Sequence, residues 1–172
     1  GYAIQMLYME GSEGITPLLE EKHSVFYPRI SPSGQWIAYQ SDETGDGEIY
    51  VRPFPEVNKG RWQVSANGGT SPLWSRNGRE LFYWTDDALM VVPVETAPTF
   101  IYGAPKVQFQ RMPVFTGFFR LSGITWDIHP DGKRFLMMKP PGAVLSEDDN
   151  LHSKITIVLN WDVELKERVP VD

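Results

Sequence analysis

The chain has no cysteine among its 172 residues, so it forms no disulfide and offers no thiolate to a metal. Histidine is scarce as well. His23, His129 and His152 are the only three, and no His-x-x-x-His pair or histidine–carboxylate cluster has metal-ligand spacing. No apolar run approaches the roughly 20 residues that span a bilayer as a helix, so the chain is not expected to be membrane-embedded. Basic residues are outnumbered, 16 against 22 acidic, and the net charge of -6 argues against a nucleic-acid partner, since phosphate neutralisation needs a basic surface. Catalytic signatures are missing too: no G-x-S-x-G nucleophile elbow, no Gly-rich loop over ATP, no H-R-D and no D-F-G. No enzymatic activity and no cofactor are therefore expected. Helical periodicity is nearly absent until "WDVELKERV" (161–169), acidic then basic, which reads as a short closing helical turn.

What is present is a repeat. Residues 27–40 read "YPRISPSGQWIAYQ", residues 71–84 read "SPLWSRNGRELFYW" and residues 125–139 read "TWDIHPDGKRFLMMK". Four positions before the turn glycines Gly34, Gly78 and Gly132 stand Ile30, Trp74 and Ile128; three before stand Ser31, Ser75 and His129. Each glycine is followed by polar residues and then a strand-like run. Proline ends the inner strand because it cannot donate a ladder hydrogen bond, and glycine accepts the positive φ of a tight hairpin. "PSG", "RNG" and "PDG" are three solutions to one turn, and "NGG" at 67–69 serves the crossover between units. The glycines stand 44 and then 54 positions apart, near the roughly 40–50-residue period of a propeller blade.

Short runs rich in aromatic and β-branched residues, set off by Gly, Pro, Asn and Asp, read as antiparallel strands. The expected strands are 25–31, 36–41, 48–52 and 61–65 in the first full unit. In the second they are 71–75, 80–84, 88–94 and 106–109. The third holds 123–128, 134–139 and 155–160, with a loop at 140–154. Ahead of them, "AIQMLYM" and "ITPLLE" read as the last two strands of an earlier unit. The expected fold is all-β, a partial β-propeller of about three to four four-stranded antiparallel blades. Its segments are 1–20 (end of a preceding blade), 21–67, 68–111, and 112–172 (last blade and closing turn).

The stretch Pro28 to Tyr50, "PRISPSGQWIAYQSDETGDGEIY", resembles the TolB-like, WD-like β-propeller repeat. "GGTSPLWSRNGRELFYW", "WDIHPDGKRFLMMK" and "ITIVLNWDVELKERVP" resemble the C-terminal propeller attached to bacterial serine/threonine protein kinases. The resemblance implies a non-catalytic sensor or interaction module of a larger bacterial signalling protein, binding a protein or small ligand, in an extracytoplasmic or periplasmic setting. The rival implication is the gating propeller of a prolyl-oligopeptidase-like hydrolase whose catalytic domain lies elsewhere. The second unit departs from the pattern, with Arg76-Asn77 in place of Pro-Asp, which changes the turn and not the fold.

For a ligand face, Arg29 and Trp126 are candidates because they lie early in the inner strands. "MPVFTGFFRLSG" (112–123) adds Phe115, Phe118, Phe119 and Arg120, an aromatic and basic cluster in an otherwise acidic chain. Trp36, Trp74, Tyr39, Phe82 and Tyr83 recur at strand positions and are expected to fill space between packed blades. "SDETGDGE" (41–48) gathers Asp42, Glu43, Asp46 and Glu48, a weak calcium candidate that lacks full ligand spacing and reads first as a solvated turn. Counting strands gives two, four, four and three, too few for a ring of at least about four blades. The chain is therefore expected to join further blades of a parent polypeptide, or to self-associate through open sheet edges.

Overall fold

The computed structural model describes residues 1–9, 14–110 and 126–137. The described residues form four antiparallel sheets in chain order, and none of them holds an α-helix. β1 (Ile4–Leu7) and β2 (Ile15–Leu19) make the first, a hairpin that closes with Leu7 opposite Ile15. The second sheet runs β3 (Val25–Ile30), β4 (Trp36–Ser41), β5 (Glu48–Pro53) and β6 (Trp62–Gln63), each strand beside its successor. The third places β7 (Thr70–Trp74), β8 (Glu80–Trp84) and β9 (Ala88–Glu95) side by side. The far edge of β9 carries β10 (Ile101–Tyr102) and β11 (Lys106–Gln110) in succession. β12 (Trp126–Ile128) and β13 (Phe135–Met137) form the fourth.

Most expected strands lie within a residue or two of these bounds. Two differ. The strand expected at 61–65 narrows to Trp62–Gln63, because a turn of 3-10 helix at Val57–Lys59 and the extended Gly60 occupy the chain just before it. β10 was not expected: Ile101 and Tyr102 are a two-residue return of the loop after β9, too short for a period-2 signal. The start of the strand expected at 123–128, the end of the one expected at 134–139, the strand at 155–160 and the closing turn at 161–169 lie outside the described residues.

Alternation along each strand sends neighbours to opposite faces. From β4, Ile37 and Tyr39 face the first sheet, joining Ile4, Leu19, Val25 and Tyr50 in one apolar cluster. Trp36 and Ala38 face the third sheet with Ile49, Val51, Trp74, Leu81, Tyr83 and Val92. Phe82 and Trp84, on the other face of β8, pack with Leu89, Trp126 and Met137 against the fourth sheet. The middle sheets are thus covered on both faces, which is why "WIAY" and "LFYW" are continuous apolar runs instead of alternating ones.

Two indoles fasten the second sheet to the third. Trp36 Nε1 donates to the Thr96 carbonyl at 2.9 Å, and Trp74 Nε1 donates to the Arg29 carbonyl at 3.0 Å. Phe100 sits between them, its ring centroid 5.3 Å from Trp36 and 6.3 Å from Trp74. Between the first and second sheets the tie is polar. Arg52, only 8% exposed, donates from Nε to the Tyr39 hydroxyl (2.7 Å), from one terminal nitrogen to the Val57 carbonyl (3.1 Å), and pairs with Glu21. A charge at that depth is tolerable because the guanidinium is bonded on every side.

Leu81 is fully buried between sheets, so Leu81→Ala should cost about 2–5 kcal/mol in urea unfolding. Gly78 has φ +69° with ordinary space around a Cβ, so Gly78→Ala should cost only about 1 kcal/mol, through backbone strain. Burial, reinforced by the Glu48 charge, pushes the Tyr83 hydroxyl up to about 12, and burial with the Glu43 hydrogen bond does the same for Tyr50. A raised phenol pKa favours the neutral form in the fold. The stability it contributes is present below the ordinary value of 10.0 and lost as pH rises through about 12. Tyrosinate absorbance should accordingly show a late component that coincides with unfolding; titration of every tyrosine before the fold melts would contradict this.

Candidate functional site

The three repeat turns are the same object. The N–H groups of Ser31, Ser75 and His129 donate to the carbonyls of Trp36, Glu80 and Arg134 at 2.8, 2.9 and 2.8 Å. Gly34, Gly78 and Gly132 return N–H to the carbonyls of Ser31, Ser75 and His129 at 2.9, 2.9 and 2.8 Å, with φ of +72°, +69° and +69°. The next side chain adapts to each case: Ser33 Oγ, Asn77 Oδ1 and Asp131 Oδ1 accept from the N–H two residues on. At the third turn the Ser position holds His129, whose ring contacts Asp131 and the Arg134 guanidinium. The Lys133 N–H, with His129 and Arg134 beside it, holds the exposed Asp131 carboxyl down at about 2. Asp127, Ile128, His129, Arg134 and Phe135 border a shallow cavity of about 260 Å³ at this hairpin.

The first strands of the two middle sheets share a second device. Tyr27 and Ser71, each directly before a proline, have φ of +52° and +54°. At both points pairing with the next strand skips, between Phe26 and Arg29 and between Thr70 and Leu73. A non-glycine residue held left-handed is uncommon, and such strain concentrates at functional positions. Here it swings Tyr27 out of the ladder at the sheet edge. The Phe26 ring lies 6.2 Å from Tyr27 and 5.3 Å from Tyr2, an aromatic row in which Tyr2 is 71% exposed. Arg29 follows. It is half-buried, its carbonyl accepts the Trp74 indole N–H, and among the described residues its guanidinium bonds to the Pro28 carbonyl at 3.4 Å and to no other. Among the described residues no carboxylate pairs with it, so a cation without an acidic partner follows the aromatic residues along the same strand.

Of the expected ligand residues, Arg29 stands at this surface. Trp126 requires a correction: it is 4% exposed and belongs to the core between the third and fourth sheets. It occupies the repeat position of Pro28 and Pro72, and its ring meets Trp84 edge-on at 6.0 Å. Apolar burial, not access, governs it. Phe115, Phe118, Phe119 and Arg120 lie outside the described residues. Tyr2, Phe26 and Tyr27 were not among the expected residues. The signal that could have found Tyr27 is the X-Pro step shared by "YPRIS" and "SPLWS".

The carboxylates of the 41–48 loop point to separate duties. Asp42 Oδ1 accepts the Ser24 N–H at 2.8 Å, tying the loop to the start of β3. Glu43 accepts the Tyr50 hydroxyl at 3.0 Å and pairs with Arg61, whose guanidinium lies 4.0 Å from the Tyr50 ring centroid. That hydrogen bond from Arg61 lowers the Glu43 pKa. Glu48 is buried and accepts the Ser65 hydroxyl and the Gly68 N–H, while Asp46 is exposed. Among the described residues no three acidic or histidine side chains converge as a metal set, and no helix long and apolar enough to cross a membrane occurs among them.

Comparison with known protein families and with characterised proteins finds no match to the chain.

Because Asp42, Glu43 and Glu48 are already bonded to protein donors, calorimetric titration with Ca²⁺ should show no site tighter than millimolar. A saturable micromolar heat abolished by Asp46→Ala would overturn this.

Proposed function

We propose that the chain is a segment of a β-propeller, its successive sheets serving as blades, and that it is a non-catalytic module binding a protein or small ligand within a larger bacterial signalling protein. The observation that carries the reading is the repeated geometry. Three successive sheets begin with the same glycine turn, and two of them begin with the same left-handed step before proline. Identical units that stack face to face, first strands side by side, are how repeat architectures bury a core that no single unit could bury alone. The resemblance of "PRISPSGQWIAYQSDETGDGEIY" to the TolB-like repeat supports the same reading.

A binding role fits the chemistry of the first strands. Aromatic rings with an unpaired arginine are the usual anchors of interfaces, offering large contact area at small entropy cost. The row of exposed Tyr2 and half-buried Phe26 and Tyr27, with half-buried Arg29, has that composition on an otherwise acidic molecule. The proposed ligand face is therefore centred on Tyr27 and Arg29, together with Phe115, Phe118, Phe119 and Arg120 from the same sequence argument. The absence of nucleophile-elbow and kinase motifs supports a role without turnover.

A photo-crosslinking amino acid in place of Tyr27, in bacteria producing the full-length parent, should yield a discrete adduct that Arg29→Ala diminishes. The same probe in place of exposed Lys59, in the turn between β5 and β6 at the opposite side of the sheet from β3, should not. Equal adducts at both positions, or none at 27, would count against this ligand face.

A further inference from the structure

We propose that Asn67-Gly68 is a self-modifying site, at which the buried Glu48 carboxylate acts as base in converting Asn67 to aspartate and isoaspartate. Asn-Gly steps are where the following backbone nitrogen can reach the side-chain amide, because glycine puts no Cβ in the way. The chain has two, Asn67-Gly68 and Asn77-Gly78, and the structure treats them differently.

At Asn77 the reacting groups are held apart from reaction. Its Oδ1 accepts both the Ser75 hydroxyl at 2.8 Å and the Arg79 N–H at 3.0 Å, and the Gly78 N–H donates to the Ser75 carbonyl at 2.9 Å. A carbonyl oxygen is too weak a base to take that proton. At Asn67 the side chain is exposed and makes no hydrogen bond among the described residues, so it is free to rotate. The Gly68 N–H instead donates to Glu48 Oε1 at 2.9 Å, and Glu48 is 5% exposed. A carboxylate within hydrogen-bond reach of the proton to be removed is the geometry of general-base catalysis.

The step balances with water as the only co-reactant. The Gly68 nitrogen gives its proton to Glu48 and its electron pair to Asn67 Cγ. The Cγ–Nδ2 bond breaks, and ammonia leaves with the proton returned by Glu48. Water then opens the cyclic imide at either carbonyl, giving aspartate or isoaspartate. Aspartate adds a negative charge at the residue preceding the Gly68 N–H that Glu48 binds; isoaspartate adds a methylene to the backbone. Both fall on the crossover from the second sheet to the third, where the Gly69 N–H donates to the Gly47 carbonyl at 2.7 Å and Thr70 Oγ1 to Gln40 at 2.7 Å. The reaction therefore loosens the junction between these sheets as the protein ages. Asn77 would be tolerant by comparison, since Asp131 already serves the same turn position with its own bond to the Lys133 N–H.

The test is peptide mapping by mass spectrometry, with isoaspartate quantified, after incubation of the native protein in mildly alkaline buffer and of the same protein unfolded in urea. In the native protein Asn67 should convert about tenfold faster than Asn77 or more, and in urea the two should converge. Glu48→Gln should bring native Asn67 down towards the Asn77 rate. Should Glu48→Gln fail to fold by melting, the native-against-urea comparison on the unsubstituted chain decides alone. Native conversion of Asn77 at the rate of Asn67, or native Asn67 reacting no faster than in urea, overturns the proposal.

Discussion

Every other feature of this molecule depends on one constraint: its middle sheets are apolar on both faces. A sheet of this kind is stable only when something covers each side, because leaving either face wet forfeits about 1.5–3 kcal/mol for each large side chain exposed. Trp36 and Ala38 on one side of β4, and Ile37 and Tyr39 on the other, commit the second sheet to two neighbours. Leu81 and Tyr83 against Phe82 and Trp84 do the same for the third. The stack follows from that demand. The polar ties, two indole N–H groups and the Arg52 clamp, set how the sheets sit on one another without driving their association.

The proposed ligand face is a by-product of the same arrangement. Where two-faced sheets stack, side chains of their central strands are consumed by packing, and what remains free is the strand edge. The left-handed steps at Tyr27 and Ser71 release two residues from the ladder at that edge. The strain is held in place by the turn that follows, whose hydrogen bonds are the same in three sheets. A rigid turn beside a distorted strand is a sound way to present an aromatic ring and a cation at fixed spacing.

The acidic 41–48 loop shows how composition misleads. Four carboxylates within eight residues suggest a cation site, yet the fold spends three of them on its own hydrogen bonds. Glu48 is the most consequential, since it is buried and closes the crossover through Ser65 and Gly68. Its partners stand 17 and 20 positions away, so nothing in the local pattern could have pointed to them.

By itself the sequence determined the strands, the turns and the repeat. Those are local matters, in which glycine's access to positive φ, proline's missing donor and period-2 or continuous apolar runs act over a few residues. Gly34, Gly78 and Gly132 could be aligned on paper, and they turned out to carry the same hydrogen bonds. Which residues are inside and which are presented was decided only by tertiary structure. Trp126 looked available in sequence and is buried against Trp84, because the neighbour that covers it lies some forty positions away. Tyr27 looked like an ordinary strand residue and is swung out of the ladder, because the register on either side of the Pro28 step leaves no partner for it. Contact between sheets is a property of distant segments, and no local pattern records it.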